Sequence, residues 1–310
     1  MITILRTSEH GLEIIERPTD GCWISLTEPT SEEIAQVRAL LEVPDDFLTY
    51  ALDLDERSRT EREDGALLIV LRIPILQAAT EDIPYGVIPL GIVLSPEAIV
   101  TVCRYENSIV DKLISARTRN VTTHKPTRFV LQVLYTTAIQ YLAYLREIDR
   151  TIDTLEDRLQ ASLRNRELLE LLKYQKSLVY FATALRSNEL MMERLQKSGL
   201  FRAFPEDEDL LDDVLTENQQ AIEMVGISNN ILSQMMDAFA SIISNNLNVV
   251  MKFLASVTIV LSIPTLIASL YGMNVALPFA NSPSAFYAVL ALCAVLSLTL
   301  VAIFRRRDWF

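Results

Sequence analysis

The sequence predicts an α/β N-terminal domain, then a long helical stalk, then two C-terminal transmembrane helices. Three observations carry this. Two uncharged apolar runs, Phe253–Tyr271 and Ser284–Phe304, lie close together near the C-terminal end. Before them the chain has no glycine or proline between Pro126 and Gly199, and its apolar residues recur with a helical period. The N-terminal region instead alternates strand-like and helix-like stretches. The division that follows is 1–107 for the α/β domain, 108–249 for the long helices and stalk, and 250–310 for a membrane hairpin with a basic tail.

In the first region, Ile2–Leu5, Leu12–Ile15 and Cys22–Leu26 read as short strands. Thr30 and Glu33 have the spacing of a capping box, opening a helix that runs to about Leu41. A second short helix is expected near Pro44, and strands resume at Ala66–Ile73, Val87–Leu94 and Ala98–Cys103, all rich in Ile, Leu and Val. There is no glycine-rich phosphate loop and no Gly-x-Ser-x-Gly elbow, so nothing here points to an enzyme or an organic cofactor.

From about Ser108 the chain reads as helical. Long periodic stretches cover Arg128–Leu163 and Asn165–Lys197, a pattern that scaffolds or packs between subunits. A third helix follows the acidic stretch Glu206–Asp209 and extends from about Leu210 to Tyr271, carrying the chain into the bilayer. Gly226 is tolerable within it, and Pro264 predicts a kink inside the membrane.

Each uncharged run is long enough to cross a hydrocarbon core. Lys252 precedes the first, and Arg305, Arg306 and Arg307 follow the second. Basic flanks stay inside, so both ends of the hairpin face the cytosol. The opening residues lack the basic start and apolar core of a signal peptide, and the N-terminus is expected to stay cytosolic as well.

Composition narrows the function classes. The formal charge is −12, which argues against nucleic-acid binding and is compatible with handling cations. The cysteines, Cys22, Cys103 and Cys293, are scattered, which suits a reducing compartment without disulfides. With only His10 and His124 in the chain, a histidine-based zinc or iron site is not expected.

The third helix carries a polar stripe. In steps of three and four it reads Asp213, Thr216, Gln220, Glu223, Ile227, Asn230, Gln234, Asp237, Ser241, Ser244 and Asn248. It continues through the apolar run as Met251, Ala255, Thr258, Ser262, Thr265 and Ser269. In the soluble part a polar stripe is simply a solvated face. Inside a bilayer two readings stand: hydroxyls that glue helices together, or a water-lined face. The membrane part of the stripe is uncharged, which suits an ion such as Mg2+ that keeps its octahedral water shell.

The first span ends in Tyr271-Gly272-Met273-Asn274, before a second span and a basic tail. In that position the tripeptide resembles the signature of the CorA-type magnesium transporters, and the resemblance extends to the layout of the whole chain. It implies a homopentameric funnel in the cell (inner) membrane, with the first span lining the pore. It implies that Asn274, at the outer mouth with Tyr271, Gly272 and Met273, rings the entrance and holds a hydrated ion. The pore-facing positions it implies are Thr265, Ser262, Thr258, Leu254 and Asn248. All but Leu254 also fall on the stripe, and Leu254 is either a hydrophobic constriction or a helix-packing leucine. Gating is implied by Mg2+ bound between cytosolic domains, at Asp213 and, across a subunit boundary, at Glu81 or Asp82. The outer loop departs from the family, since Val275–Pro283 carries no acidic residue to concentrate cations. The expected function is Mg2+ uptake driven by membrane potential, with Mg2+ both transported and regulatory. Alternatives are Co2+, Ni2+ or Zn2+ as the ion, or a non-conducting, membrane-anchored metal sensor or scaffold.

Overall fold

A computed structural model of the chain describes residues 1–9, 11–41, 43–78, 81–115, 121–161, 165–201, 204–273, 275, 284–307 and 309. They form two compact units, Met1–Ser233 and Gln234–Phe310.

The first unit is built on one seven-stranded sheet. Its strands are β1 (Ile2–Ser8), β2 (Gly11–Ile14), β3 (Cys22–Thr27), β4 (Arg59–Glu63), β5 (Ala66–Leu76), β6 (Tyr85–Leu94) and β7 (Ala98–Cys103). Their spatial order is β2-β1-β3-β7-β6-β5-β4. Every neighbouring pair is antiparallel except β3 and β7. Strands β3, β5, β6 and β7 are buried on both faces, and they read as near-continuous apolar runs for that reason.

One face is covered by α1 (Ser31–Leu40) and two 3₁₀ turns, Asp45–Leu48 and Tyr50–Leu52. The capping box forms as expected: the Thr30 side chain accepts from the Glu33 amide, and the Glu33 carboxylate accepts from the Thr30 amide. The helix expected near Pro44 is this pair of 3₁₀ turns. They sit so close to the sheet that a Cβ on Gly91 would lie 2.9 Å from Ala51 Cβ. Only glycine permits that approach.

The other face is covered by α2 (Ser108–Ile114), α3 (Pro126–Ala161), α4 (Asn165–Lys197) and the start of α5 (Pro205–Tyr271), which contributes Leu211 and Val214. Trp23 anchors this core. Its indole N–H donates to Thr101 Oγ1 at 2.9 Å, and its ring meets Phe129 edge-on. The first turn of α5 is tied to that of α3, because Arg128 pairs with Glu206 and with Asp207, whose carboxylate also accepts from Thr127.

Strand β4 is absent from the sequence reading because Arg-Thr-Glu-Arg-Glu has no apolar face. Asp64 and Gly65, both at positive φ, form the two-residue turn that pairs it with β5. Strand β4 begins at Arg59, opposite Val70, so Arg72, the next residue of β5 whose backbone faces that side, has no strand partner there. Side chains from α3 and α4 take its place: Tyr141 Oη and Asn188 Nδ2 donate to the Arg72 carbonyl at 3.0 and 2.8 Å. The Arg72 amide donates in turn to Asn188 Oδ1.

The second unit holds the C-terminal part of α5 and α6 (Ala285–Arg306). Both are long and apolar enough to span a membrane, and the helix of α5 is continuous through Pro264.

Candidate functional site

The expected pore residues lie on one exposed face of α5 within the second unit. Asn248, Met251, Leu254, Thr258, Ser262, Thr265 and Ser269 are all exposed. The residues that lose exposure are Ser256, Val257, Val260, Ile263, Pro264 and Ile267. At 3.6 residues per turn these two sets are on opposite sides of the helix. Helix α6 likewise has one partly covered side: Ala285, Val289, Cys293, Ser297, Leu300 and Phe304. These are the covered sides of the two helices, and the hydroxyl face of α5 is open. The remaining surface is apolar and bare, with Leu261 64% and Phe286 70% exposed, as expected of helices bathed in lipid rather than water.

The hydroxyl face is concave. Thr258, Ser262, Thr265 and Ser269 sit between the larger Leu261, Leu266, Leu270 and Met273, and together they line a groove of about 670 Å3. Its polarity is set by the helix itself. Thr258 Oγ1 donates to the Leu254 carbonyl at 2.8 Å, Ser262 Oγ to Thr258 at 2.7 Å, and Thr265 Oγ1 to Leu261 at 3.0 Å. These three hydroxyl protons are turned back into the helix. What the groove presents outward is oxygen lone pairs.

At the end of α5, Tyr271 and Met273 are exposed. The Gly272 amide still donates to the Ala268 carbonyl at 2.9 Å. A Cβ at Gly272 would crowd that same oxygen at 3.3 Å. Asn274 lies outside the described residues, as do 276–283.

The expected regulatory carboxylates are all in the first unit, and all are exposed. Asp213 lies on α5, and no hydrogen bond or ion pair engages its carboxylate among the described residues. Glu81 and Asp82 lie between β5 and β6. Asp82 is already engaged, because Oδ1 pairs with Lys173 Nζ at 3.3 Å and Oδ2 with Lys176 Nζ at 3.4 Å. These two lysines, first Lys173, hold its carboxyl below the usual carboxylate range. Among the described residues no three His, Cys, Asp or Glu side chains of one protomer gather to hold a metal. The lysine pair has no counterpart in the sequence reading, since nothing local connects positions so far apart in the chain.

Comparison with known proteins adds to this geometry. Residues 19–306 match the family described as CorA-like Mg2+ transporter protein. The chain is 28% identical over 322 residues to the cobalt/magnesium transport protein CorA of Methanocaldococcus jannaschii, covering 100% of both chains. It superposes on the complete structure of the CorA magnesium transporter from that organism with a TM-score of 0.87 and 27% identity, covering 100% of this chain and 99% of that one. The full-length CmaX structure has the same fold, with a TM-score of 0.73 at 17% identity over 98% of this chain and 96% of its own. Matching the family over most of its length, with a soluble α/β domain, a long helix and two C-terminal spans, the chain is a membrane protein that belongs to the CorA-like Mg2+ transporter family, a family of transporters and not of enzymes.

Proposed function

We propose that this chain conducts Mg2+ into the cell through a pore lined by the hydroxyl face of α5, driven by the membrane potential and closed by cytosolic Mg2+. The observation that carries the reading is the orientation of the Thr258, Ser262 and Thr265 hydroxyls, with protons turned inward and oxygens outward. Hydrated Mg2+ sheds its waters reluctantly, and those waters point hydrogens outward. An acceptor-only face bonds that shell without stripping it. With no carboxylate on the face, the ion is not trapped.

Two helices from one chain cannot enclose a pore, so several copies must assemble, and five is the number the family resemblance implies. Tyr271, Gly272, Met273 and Asn274 then form the outer mouth, with Met251, Leu254 and Asn248 towards the cytosolic end. Asn274 holds the hydrated ion in the absence of an acidic outer loop. An inside-negative potential favours inward passage of a divalent ion by roughly 4.6 kcal/mol per 100 mV. Both termini face the cytosol of the inner membrane, with Lys252 and Arg305–Arg307 on the inner side. The division into 1–107, 108–249 and 250–310 follows the roles of sensor, stalk and pore.

Closure follows from charge. Carboxylates facing one another across a subunit boundary, Asp213 on one copy and Glu81 on the next, repel unless a cation screens them; Asp82 adds to the repulsion only when Lys173 and Lys176 release it. Cytosolic Mg2+ bridging them favours the closed arrangement, and its loss frees the subunits to move apart. A second ion, Co2+, is favoured by the name of the M. jannaschii relative, a cobalt/magnesium transport protein.

The test is flux into proteoliposomes loaded with a Mg2+-sensitive dye, at low internal Mg2+ and an inside-negative potential. Asn274→Ala is expected to abolish flux while leaving assembly intact. Full flux in that variant refutes the assignment of the mouth. Flux of Co2+ or Zn2+ without Mg2+ changes the ion, and no flux of any ion leaves a membrane-anchored sensor.

A further inference from the structure

The chain carries a formal charge of −12, yet beyond Val249 the balance is reversed: Lys252, Arg305, Arg306 and Arg307 stand against Asp308 alone. A hairpin returns to the side from which it entered, so all four cations flank the spans on one side of the membrane. All four are exposed, and among the described residues no carboxylate pairs with any of them. The end of α6 is closed upon itself. The Arg307 amide donates to the Ile303 and Phe304 carbonyls, both at 3.1 Å, and the Trp309 amide donates to the Phe304 carbonyl at 3.1 Å. This turns the chain back, and the Trp309 ring stacks on Phe304 with centroids 5.2 Å apart and planes within 2°. A tail running off into water would expose both rings. Folded back, Trp309 is held at the last turn of the span, the depth at which tryptophan settles among lipid headgroups.

The three arginines therefore open at headgroup level. Consecutive helical residues point about 100° apart, so together they fan over about 200°. They cannot all face a central pore, and some must meet lipid. A guanidinium presents a planar fork of donors that matches a phosphate. In a zwitterionic lipid the phosphate is already neutralised by the headgroup's own ammonium, whereas an anionic lipid leaves its charge for the arginines. We propose that Arg305, Arg306 and Arg307, set at the bilayer surface by the Phe304–Trp309 stack, form a binding site for the headgroups of anionic phospholipids. Such lipids are held beside the end of α6 in preference to zwitterionic ones. The inference rests on the chain's spanning the membrane and is independent of which ion it conducts.

The protein carries its own probe. Its only other tryptophan, Trp23, is fully buried in the core of the soluble unit, so quenching by brominated acyl chains reports Trp309. The full-length protein is reconstituted in phosphatidylcholine vesicles containing a small fraction of brominated phosphatidylglycerol or, in parallel, the same fraction of brominated phosphatidylcholine. Each basic side chain near an anionic surface strengthens association about fivefold, so with two arginines reaching lipid the preference for phosphatidylglycerol is expected to be on the order of tenfold or more. In Arg305→Gln/Arg306→Gln/Arg307→Gln the preference should vanish, while quenching by brominated phosphatidylcholine stays at the wild-type level and shows that Trp309 is still in the bilayer. Millimolar inorganic phosphate at constant ionic strength should leave the wild-type preference in place; its abolition would make a free anion the ligand and overturn the assignment to lipid. Equal quenching of the wild type by the two lipids overturns the proposal without recourse to any variant. A preference that survives in the Gln variant overturns the assignment to these arginines.

Discussion

Thr258→Val separates the chemistry of the hydroxyl face from its shape. Valine keeps the β-branched outline of threonine and loses only Oγ1. That hydroxyl donates to the Leu254 carbonyl at 2.8 Å, a group that also accepts the helix's own amide bond. Its removal orphans no buried backbone group, and folding should change by less than about 1 kcal/mol. Permeation should change far more. Each subunit loses one acceptor for the ion's water shell, and a net hydrogen bond is worth about 1 kcal/mol. If a passing ion engages two or three of these oxygens at once, the loss is about 2–3 kcal/mol, or roughly 30- to 150-fold in rate. The assay is potential-driven Mg2+ flux into proteoliposomes, with Thr258→Ser, which keeps the oxygen, measured alongside. A Thr258→Val channel that passes Mg2+ at more than half the wild-type rate would refute the claim that these oxygens carry the ion's shell.

Two further predictions concern the soluble unit. Asn188→Ala removes the acceptor of the Arg72 amide and one of the two donors to the Arg72 carbonyl, on the side of β5 that β4 leaves uncovered. It should destabilise the protein by about 2–3 kcal/mol, seen as a lower melting temperature of the detergent-solubilised protein; an unchanged melting point would mean that β5 does not rely on this side chain. Cys103 is buried, and burial pushes its thiol up to about 11. It should therefore resist alkylation at pH 8 in the native protein and react only on unfolding. Because its folded value is raised, its contribution to stability is fully present below the ordinary thiol pKa of about 8.5 and is lost as pH rises towards 11; denaturation curves above pH 8.5 that showed rising stability would contradict this.

What could be read from the sequence was set by period and range. The spans and the stripe of Thr258, Ser262, Thr265 and Ser269 were visible because one helix carries them, and helical spacing is a local property. Strands β3, β5, β6 and β7 were visible because burial on both faces leaves runs of Ile, Leu and Val. Strand β4 was not, since its edge position lets every side chain be polar, and only the Asp64-Gly65 turn betrays it. The features set by tertiary contact were out of reach. Nothing near Arg72 announces that Asn188 and Tyr141 will take up its backbone where β4 stops, and nothing near Asp82 announces Lys173 and Lys176. The direction of the hydroxyl protons was equally hidden, since a list of serines and threonines does not say whether they offer donors or acceptors.

That last distinction accounts for which polar residues the first span uses. Between Val249 and Met273 the polar side chains are Ser and Thr plus the basic Lys252 at the inner end and Tyr271 at the outer; no Asn, Gln, Asp or Glu occurs there. A hydroxyl has one proton, and in a helix the carbonyl one turn back takes it, so lipid or an empty pore leaves no donor unpaired. An amide has two donors that the helix cannot absorb in this way. Turned to give its oxygen to the ion's water shell, an amide would leave those N–H groups without a partner. A carboxylate would attract the shell too strongly to release it. Amides become tolerable where bulk water is at hand, and in the sequence the nearest ones, Asn248 and Asn274, flank this stretch. The membrane thus sorts the oxygens along α5: hydroxyls where donors must be hidden, amides where water can pair the remainder.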